Sequence, residues 1–359
     1  MASIAENVRL LERQQDPYNA EPDPAELVKE FVTPRELFFI RNHGGVPEID
    51  PTRYRLRVEG TVDKALELTL NHLRSDFVRV RTTATLQCAG NRRQEQGRMR
   101  DVPGVPWSFT TLGNAEWGGV RLKDVLERAG VGEETRHVQF RGLDRVPEGF
   151  RYGASIPLEK ALRPETLLAF EMNGAPLVPA HGAPVRVVVP GFIGARNVKW
   201  VDSIALSADE SPNFYQQEEY KVSPPGSSER TVDWSRVPAI EEWPLNSAIC
   251  VPGENQRLKT GRVQVRGYAL GPGLSDRTLS KVEVSADGGH RWQQARLLQD
   301  SQPFQWVLWE ASIELGPGRH ELVVRACDSA GETQPQSAPW NVKGYLHNAW
   351  HRVPVIVEG

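Results

Sequence analysis

The stretch Thr85-Leu-Gln-Cys-Ala-Gly-Asn-Arg-Arg93 decides how this chain is read, because it sets the only cysteine of the first 249 residues between a strand-like run and a pair of arginines. The run before it, residues 77–86, alternates apolar and polar side chains and predicts a half-buried strand, with Val78, Val80, Ala84, Leu86 and Cys88 on its apolar face. Gly90 and Asn91 tolerate positive φ, so a turn is expected there that delivers Arg92 and Arg93 to the strand's end. Cys88 then has a bland reading and two chemical ones. It packs as a small hydrophobe, or nearby guanidinium charge lowers its pKa and favours the thiolate, which serves as nucleophile or soft-metal ligand. Arg92 and Arg93 form either a solvated turn or a fork for a small oxyanion.

Six further strings stand beside this one: Phe38-Phe-Ile-Arg-Asn-His43, Tyr152-Gly-Ala-Ser-Ile-Pro157, Glu171-Met-Asn-Gly174, Val185-Arg-Val-Val-Val-Pro-Gly191, Gly194-Ala-Arg-Asn-Val-Lys-Trp200 and Asn348-Ala-Trp-His-Arg352. Together they resemble the signature of the sulfite oxidase family of molybdenum enzymes. That resemblance implies that Cys88 binds molybdenum as thiolate, the metal being carried by molybdopterin, a pyranopterin dithiolene. It implies that the loop of Phe39, Ile40, Arg41, Asn42 and His43 wraps the pterin, with Arg41 also reaching the substrate anion. Asp144, His181, Arg186, Arg196, Asn197, Val198 and Lys199 are the other pterin contacts it implies. Arg93, Trp107 and Tyr220 take the substrate-pocket roles, the Tyr220 hydroxyl pointing at substrate and metal. Where relatives carry one more arginine, this chain has Lys343, which keeps the charge and loses the fork.

The residues themselves leave several of these roles open. Arg-Asn-His-Gly-Gly at 41–45 is a solvated turn or a ligand loop, and residues 190–199 are a plain turn or a backbone cradle for phosphate without a P-loop ending. His181 reads by default as a core histidine, Trp107 as core packing and Tyr220 as a surface tyrosine.

With 359 residues, 39% hydrophobic and 25% charged, the chain is long enough for two domains with separate cores. A net charge of -3 provides no basic field for nucleic acid or anionic membrane. Three cysteines without a CxxC pattern imply no disulfide framework, and Cys250 and Cys327 are expected as free buried thiols. The absence of a signal-like start, a membrane-length apolar run or a peroxisomal ending predicts a cytoplasmic protein.

Along the chain, Asp23, Pro24 and Glu26 predict a helix to about Phe31. A strand is expected over residues 54–60, a helix or turn over 68–77, and a cover helix from Leu122 to Ala129 ended by Gly130. Asn173-Gly174 predicts a hairpin, and residues 185–189 look like a parallel strand. The Pro- and Gly-bearing stretch from Ser223 marks a linker. From Arg262 onward short alternating strands are expected over 263–269, 282–286, 304–309, 321–327, 340–342 and 353–357, with Cys250 before the first of them.

The reading is an α+β chain: residues 1–243 form a mixed α/β molybdenum-pterin-binding catalytic domain, and residues 244–359 an all-β immunoglobulin-like sandwich through which the family resemblance implies a homodimer. The activity it implies is sulfite oxidation by oxygen-atom transfer, with electrons passing to oxygen or a separate cytochrome, since neither a haem nor a flavin segment is expected in this chain. A nitrate reductase-like oxidoreductase on the same scaffold and a non-catalytic dimeric binding protein are the alternatives.

Overall fold

Apolar alternation and Gly or Pro punctuation yield a strand-rich fold with few helices in the computed structural model, which describes residues 10–359. The cysteine strand, Arg79–Gln87, pairs antiparallel with Leu112–Arg121, which pairs in turn with Leu167–Met172. Ala175–Pro176 and Arg186–Val188 both pair with that last strand, so the segment expected as parallel is antiparallel. Its neighbour follows through a short hairpin with Asn173 at φ 52° and Gly174 at φ 75°, the left-handed pair a tight hairpin needs.

A second sheet has the order Leu66–Leu68, Leu56–Gly60, Val201–Ser207, His137–Arg145, Arg151–Pro157. The helix Leu122–Ala129 buries Leu122, Val125, Leu126 and Ala129, and Gly130 ends it at φ 73°, as its spacing predicts. The helix capped by Asp23 stops at Leu27, short of Phe31, because the chain turns away to bond Thr33 N–H to the Asn114 carbonyl at 2.7 Å. Residues 10–22, for which the sequence pattern predicts no element, form a hairpin of Leu10–Gln14 and Asn19–Pro22. Residues 1–9 lie outside the described residues.

Beyond residue 244 two sheets face one another. One runs Asn246–Val251, Gly261–Leu270, Trp306–Leu315, Arg296–Leu297, and the other Arg257–Lys259, His351–Glu358, Gly318–Asp328, Leu279–Ser285, Gln293–Gln294. Val265, Val282, Trp309, Leu322, Val324 and Val355 fill the space between them. Cys250 lies inside the first strand rather than before it, and residues 340–342 form no strand, because Asn341 and Val342 are tied to Gln96 and Ser223 instead. Cys250 and Cys327 are free and buried, as expected, and Cys88 is buried as well.

The second unit keeps that core as its own and also lends side chains to the core of the first. Ala248, Cys250, Tyr268, Leu270, Trp306, Leu308 and Tyr345 join the same apolar cluster as Leu56, Val125, Ile204 and Trp243. The first half of the cysteine strand also departs from expectation: Val78 is 66% exposed, because the strand begins at Arg79 with Arg79 and Arg81 paired to Glu171 and Glu116 at the surface. Ala84, Thr85, Leu86 and Gln87 are buried on both faces, which sets the following Cys88 deep in the structure.

Candidate active site

Cys88 follows the end of its strand, 5% exposed, with its N–H on the Thr111 carbonyl (3.0 Å) and the Gly90 N–H on its Sγ (3.4 Å). The left-handed residue of the turn is Arg92 (φ 69°), not Gly90 or Asn91. Arg41 and Arg93 do pull the Cys88 pKa down, but burial outweighs them and pushes the thiol up, so the arginines alone do not make a thiolate here. A group that binds the sulfur is needed for that.

A cavity opens beside Cys88, walled by Phe39, Arg41, Asn42, His43, Asp144, His181, Arg186, Asn197, Val198, Lys199 and Tyr220. The structure therefore gathers twelve of the sequence-predicted residues, Cys88 included, around one space. The loop that brings Arg41 to His43 is held by the N-terminal hairpin: the Asn42 N–H donates to Asn19 Oδ1 (2.7 Å), and Ile40 pairs its backbone with Ala20. Ile40 is a buried backbone partner rather than a wall residue. Trp107 is buried as well, in the cluster of Phe38, Leu86 and Cys88, where it packs the cysteine turn.

His43 Nε2 lies 2.6 Å from the Tyr220 hydroxyl, and its ring stacks on Tyr152 at 4.5 Å. Burial first, then Arg41 and Lys199, hold His43 well below the usual histidine range, and burial raises Tyr220, so both are neutral near pH 7. Tyr220 is 3% exposed, which overturns the surface reading.

Arg41 and His43 also line an outer funnel with Arg93, Glu218, Glu219, Trp234, Lys343 and Tyr345. Arg93 sits over the Tyr345 ring (4.8 Å), and Tyr345 stacks on Tyr220 (5.3 Å), so substrate-role residues from both halves of the chain meet here. Lys343 reaches across the junction, but its ammonium is engaged: Glu219 Oε2 lies at 3.2 Å, the Glu219 carbonyl at 3.0 Å and the Trp234 ring at 4.3 Å. Tyr152, Glu219 and Tyr345 were missed from sequence as site residues. Tyr152 opens one of the family-like strings, and the other two lie one and two residues from Tyr220 and Lys343.

Residues 43–215 match the family model described as oxidoreductase molybdopterin binding domain, and residues 237–358 match the Mo-co oxidoreductase dimerisation domain. Sulfite oxidase of Gallus gallus is 49% identical over 351 residues, covering 94% of this chain and 76% of its own length. The chain belongs to the sulfite oxidase family. Sulfite oxidase of Arabidopsis thaliana is 41% identical over 364 residues, covering 94% of this chain and 92% of its own. The sulfane dehydrogenase SoxCD of Paracoccus pantotrophus matches the fold with a TM-score of 0.84 at 26% identity, over 98% of this chain and 91% of that one. This sulfite oxidase family member is thus a molybdenum-dependent oxidoreductase with molybdopterin as cofactor.

The donor set fits that cofactor. Arg186 donates to the carbonyls of His181 (3.0 Å) and Asn197 (3.2 Å), and burial drops its pKa to about 9. Lys199 donates to Asn42 Oδ1 and the Ala180 carbonyl, and burial holds it well below the usual lysine range. Two buried cations that face only the carboxylate of Asp144 are costly unless a further anionic group arrives to share their charge. Asp144 Oδ1 and Arg196 Nη2 are buried without partners, an acceptor and a donor still open. Arg196 lies behind the wall, on the Ile240 carbonyl (2.9 Å) and Gln216 Oε1 (2.5 Å). Among the described residues no group of three His, Cys, Asp or Glu could chelate an ion, so a metal here must bring further ligands with it, as a dithiolene does. No described helix is long and apolar enough to cross a membrane.

Proposed function

We propose that this chain oxidises sulfite to sulfate, and that Cys88, Arg41, Arg93, His43 and Tyr220 carry the reaction. The observation that supports it is one buried thiol at a cavity where three cations, Arg41, Arg186 and Lys199, face the single carboxylate of Asp144, joined through Arg41 and His43 to a funnel open to small anions. Phe39, Asn42, Asp144, His181, Arg186, Asn197, Val198 and Lys199 would hold the pterin, with Arg196 supporting them from behind the wall, and Cys88 would hold the metal. When bound, the molybdenum-pterin group supplies the oxygen-atom exchange and takes up the two electrons released with two protons as sulfite and water become sulfate.

The chain's own residues bind and orient the anion. Arg41 and Arg93 contribute fixed positive charge, preorganised by their carbonyl contacts, toward the negative charge of sulfite and developing sulfate. The neutral His43 donates its Nε2–H to the Tyr220 oxygen in this reading, which frees the phenol O–H for an oxygen of sulfite. Tyr152 and Tyr215 pack around His43 and keep water from that pair. Trp107 acts by packing the cysteine turn.

Residues 1–243 and 244–359 are the two units of this reading. The second, with the strand order of an immunoglobulin-like sandwich, joins two copies into a homodimer. The protein works in the cytoplasm and passes electrons to oxygen or to a separate cytochrome. The test is metal and pterin analysis of purified protein, followed by sulfite-dependent reduction of oxygen and of a cytochrome. Molybdenum and pterin near one per chain with sulfite turnover support the proposal. A loaded protein that reduces nitrate and ignores sulfite, or a folded protein that takes up no cofactor, overturns it.

A further inference from the structure

The turn that carries Cys88 is bonded along its length to residues beyond 244. The Ala89 carbonyl accepts the Leu346 N–H (2.9 Å), and Asn91 Nδ2 donates to the Tyr268 hydroxyl (3.3 Å). Arg93 Nε donates to the Lys343 carbonyl (3.0 Å), while Gln96 donates to the Pro339 carbonyl (3.2 Å) and accepts the Asn341 N–H (3.1 Å).

Arg92 stands at the centre of this seam and is 0% exposed. Its Nε and Nη2 fork onto the Glu95 carboxylate at 2.7 and 2.8 Å, and Nη1 reaches Asn246 Oδ1 (2.8 Å) and the Ala349 carbonyl (2.6 Å). Its backbone holds φ 69°, a left-handed conformation that a non-glycine side chain keeps only where its surroundings enforce it. A buried ion pair is a poor way to gain stability, because well-packed apolar side chains of similar size serve as well or better. What a guanidinium fork adds is direction: it fixes the Cys88 turn against a strand and a loop of the second unit.

We infer that Arg92 is a positioning residue for the metal cysteine, pinning the Cys88 turn to Asn246 and Ala349 so that the thiol is held in place before cofactor arrives. The second unit is then half of the scaffold of the metal site. This rests on the proposed function only in taking Cys88 as the ligand.

The test uses the full chain with Arg92→Lys, which keeps the charge and loses the fork, and Asn246→Ala, which removes one acceptor and leaves the turn's sequence intact. In cofactor-free protein, maleimide labelling mapped by mass spectrometry should be slow at Cys88 in the wild type. It should accelerate about tenfold or more in both variants, with Cys250 labelling unchanged, since local opening rather than unfolding exposes the thiol. In loaded protein the thiolate-to-metal absorption should shift, and kcat should fall while the sulfite KM stays within about twofold. Unchanged Cys88 labelling in folded Asn246→Ala protein overturns the inference, as does parallel acceleration at Cys250. The labelling stands whether or not sulfite is the substrate, so its failure and that of the proposed activity are separable. If Arg92→Lys does not fold, Asn246→Ala decides alone.

Discussion

Replacing Glu219 by glutamine tests what Lys343 does at the funnel. Its ammonium lies 3.2 Å from Glu219 Oε2, while Glu219 Oε1 accepts the Tyr345 hydroxyl at 2.5 Å. The pair is formally neutral, so Glu219→Gln leaves one positive charge at the mouth, Lys343→Met leaves one negative charge, and the double variant leaves none. A unit charge about 8 Å from a dianion in a water-like dielectric is worth about 1 kcal/mol. A Debye length of about 8 Å at physiological salt cuts that to about 0.4 kcal/mol, or about twofold in binding. The sulfite KM should therefore fall about twofold in Glu219→Gln and rise about twofold in Lys343→Met, each effect growing toward about fivefold at low ionic strength. The double variant should stay near the wild type, with kcat little changed throughout, because metal, thiolate and Tyr220 are untouched. Steady-state sulfite kinetics across a salt series measures all of this. If Lys343→Met and the double variant both raise KM about tenfold or more, the ammonium itself grips sulfite and the neutralisation argument is wrong.

Three further outcomes are expected. Cys88→Ser should lose more than about a hundredfold in turnover, ~2.7 kcal/mol, while staying folded and keeping its pterin contacts, which metal, pterin and circular-dichroism measurements check. Truncation before Pro244 should give aggregated or unfolded protein rather than a monomeric catalytic unit, because it strips Trp306, Leu308 and Tyr345 from the shared core, at ~1.5 to 3 kcal/mol for each large side chain. A soluble, cooperatively melting fragment in sedimentation and calorimetry would refute that. Acid should destabilise the protein: His181 and His351 are both lowered to about 3 by burial, so each binds its proton in the unfolded chain first. With folded pKa below unfolded, their contribution is intact above pH ~6.5 and is lost as pH falls toward 3, at up to ~1.4 kcal/mol per pH unit for each group. A melting temperature flat between pH 6.5 and 4 would exclude this.

Much of the fold was legible because local signals agreed with tertiary packing. The alternation at residues 353–357, the helical spacing from Leu122 to Ala129 and the Asn173-Gly174 turn each appear where the pattern places them. Errors fall where a distant partner decides. Val78 continues the alternating pattern yet precedes the strand, because pairing with Leu112–Arg121 begins at Arg79. Residues 340–342 have strand-like composition, but Gln96 takes the Asn341 N–H and leaves no ladder to join. The N-terminal hairpin had no apolar signal, since Asn19 and Glu21 are buried polar groups satisfied by loop 14–17, Arg13, Ser108 and Thr111.

The site was legible through its motif residues and illegible in its couplings. Single positions such as Cys88, His43 and Tyr220 were visible because their strings resemble a family, and the cavity that gathers them agrees. What sequence could not show was that the two arginines after Asn91 have different work. Adjacent in the chain, they diverge at the left-handed Arg92, whose side chain turns into the seam with Glu95, Asn246 and Ala349 while that of Arg93 meets Val105, Lys343 and Tyr345 along the funnel. Proximity of positive charge to a thiol therefore says little by itself, since burial outweighs both Arg41 and Arg93 at Cys88. The distinction lies in where each guanidinium finds its oxygens, and for Arg92 two of those lie more than 150 residues away in sequence.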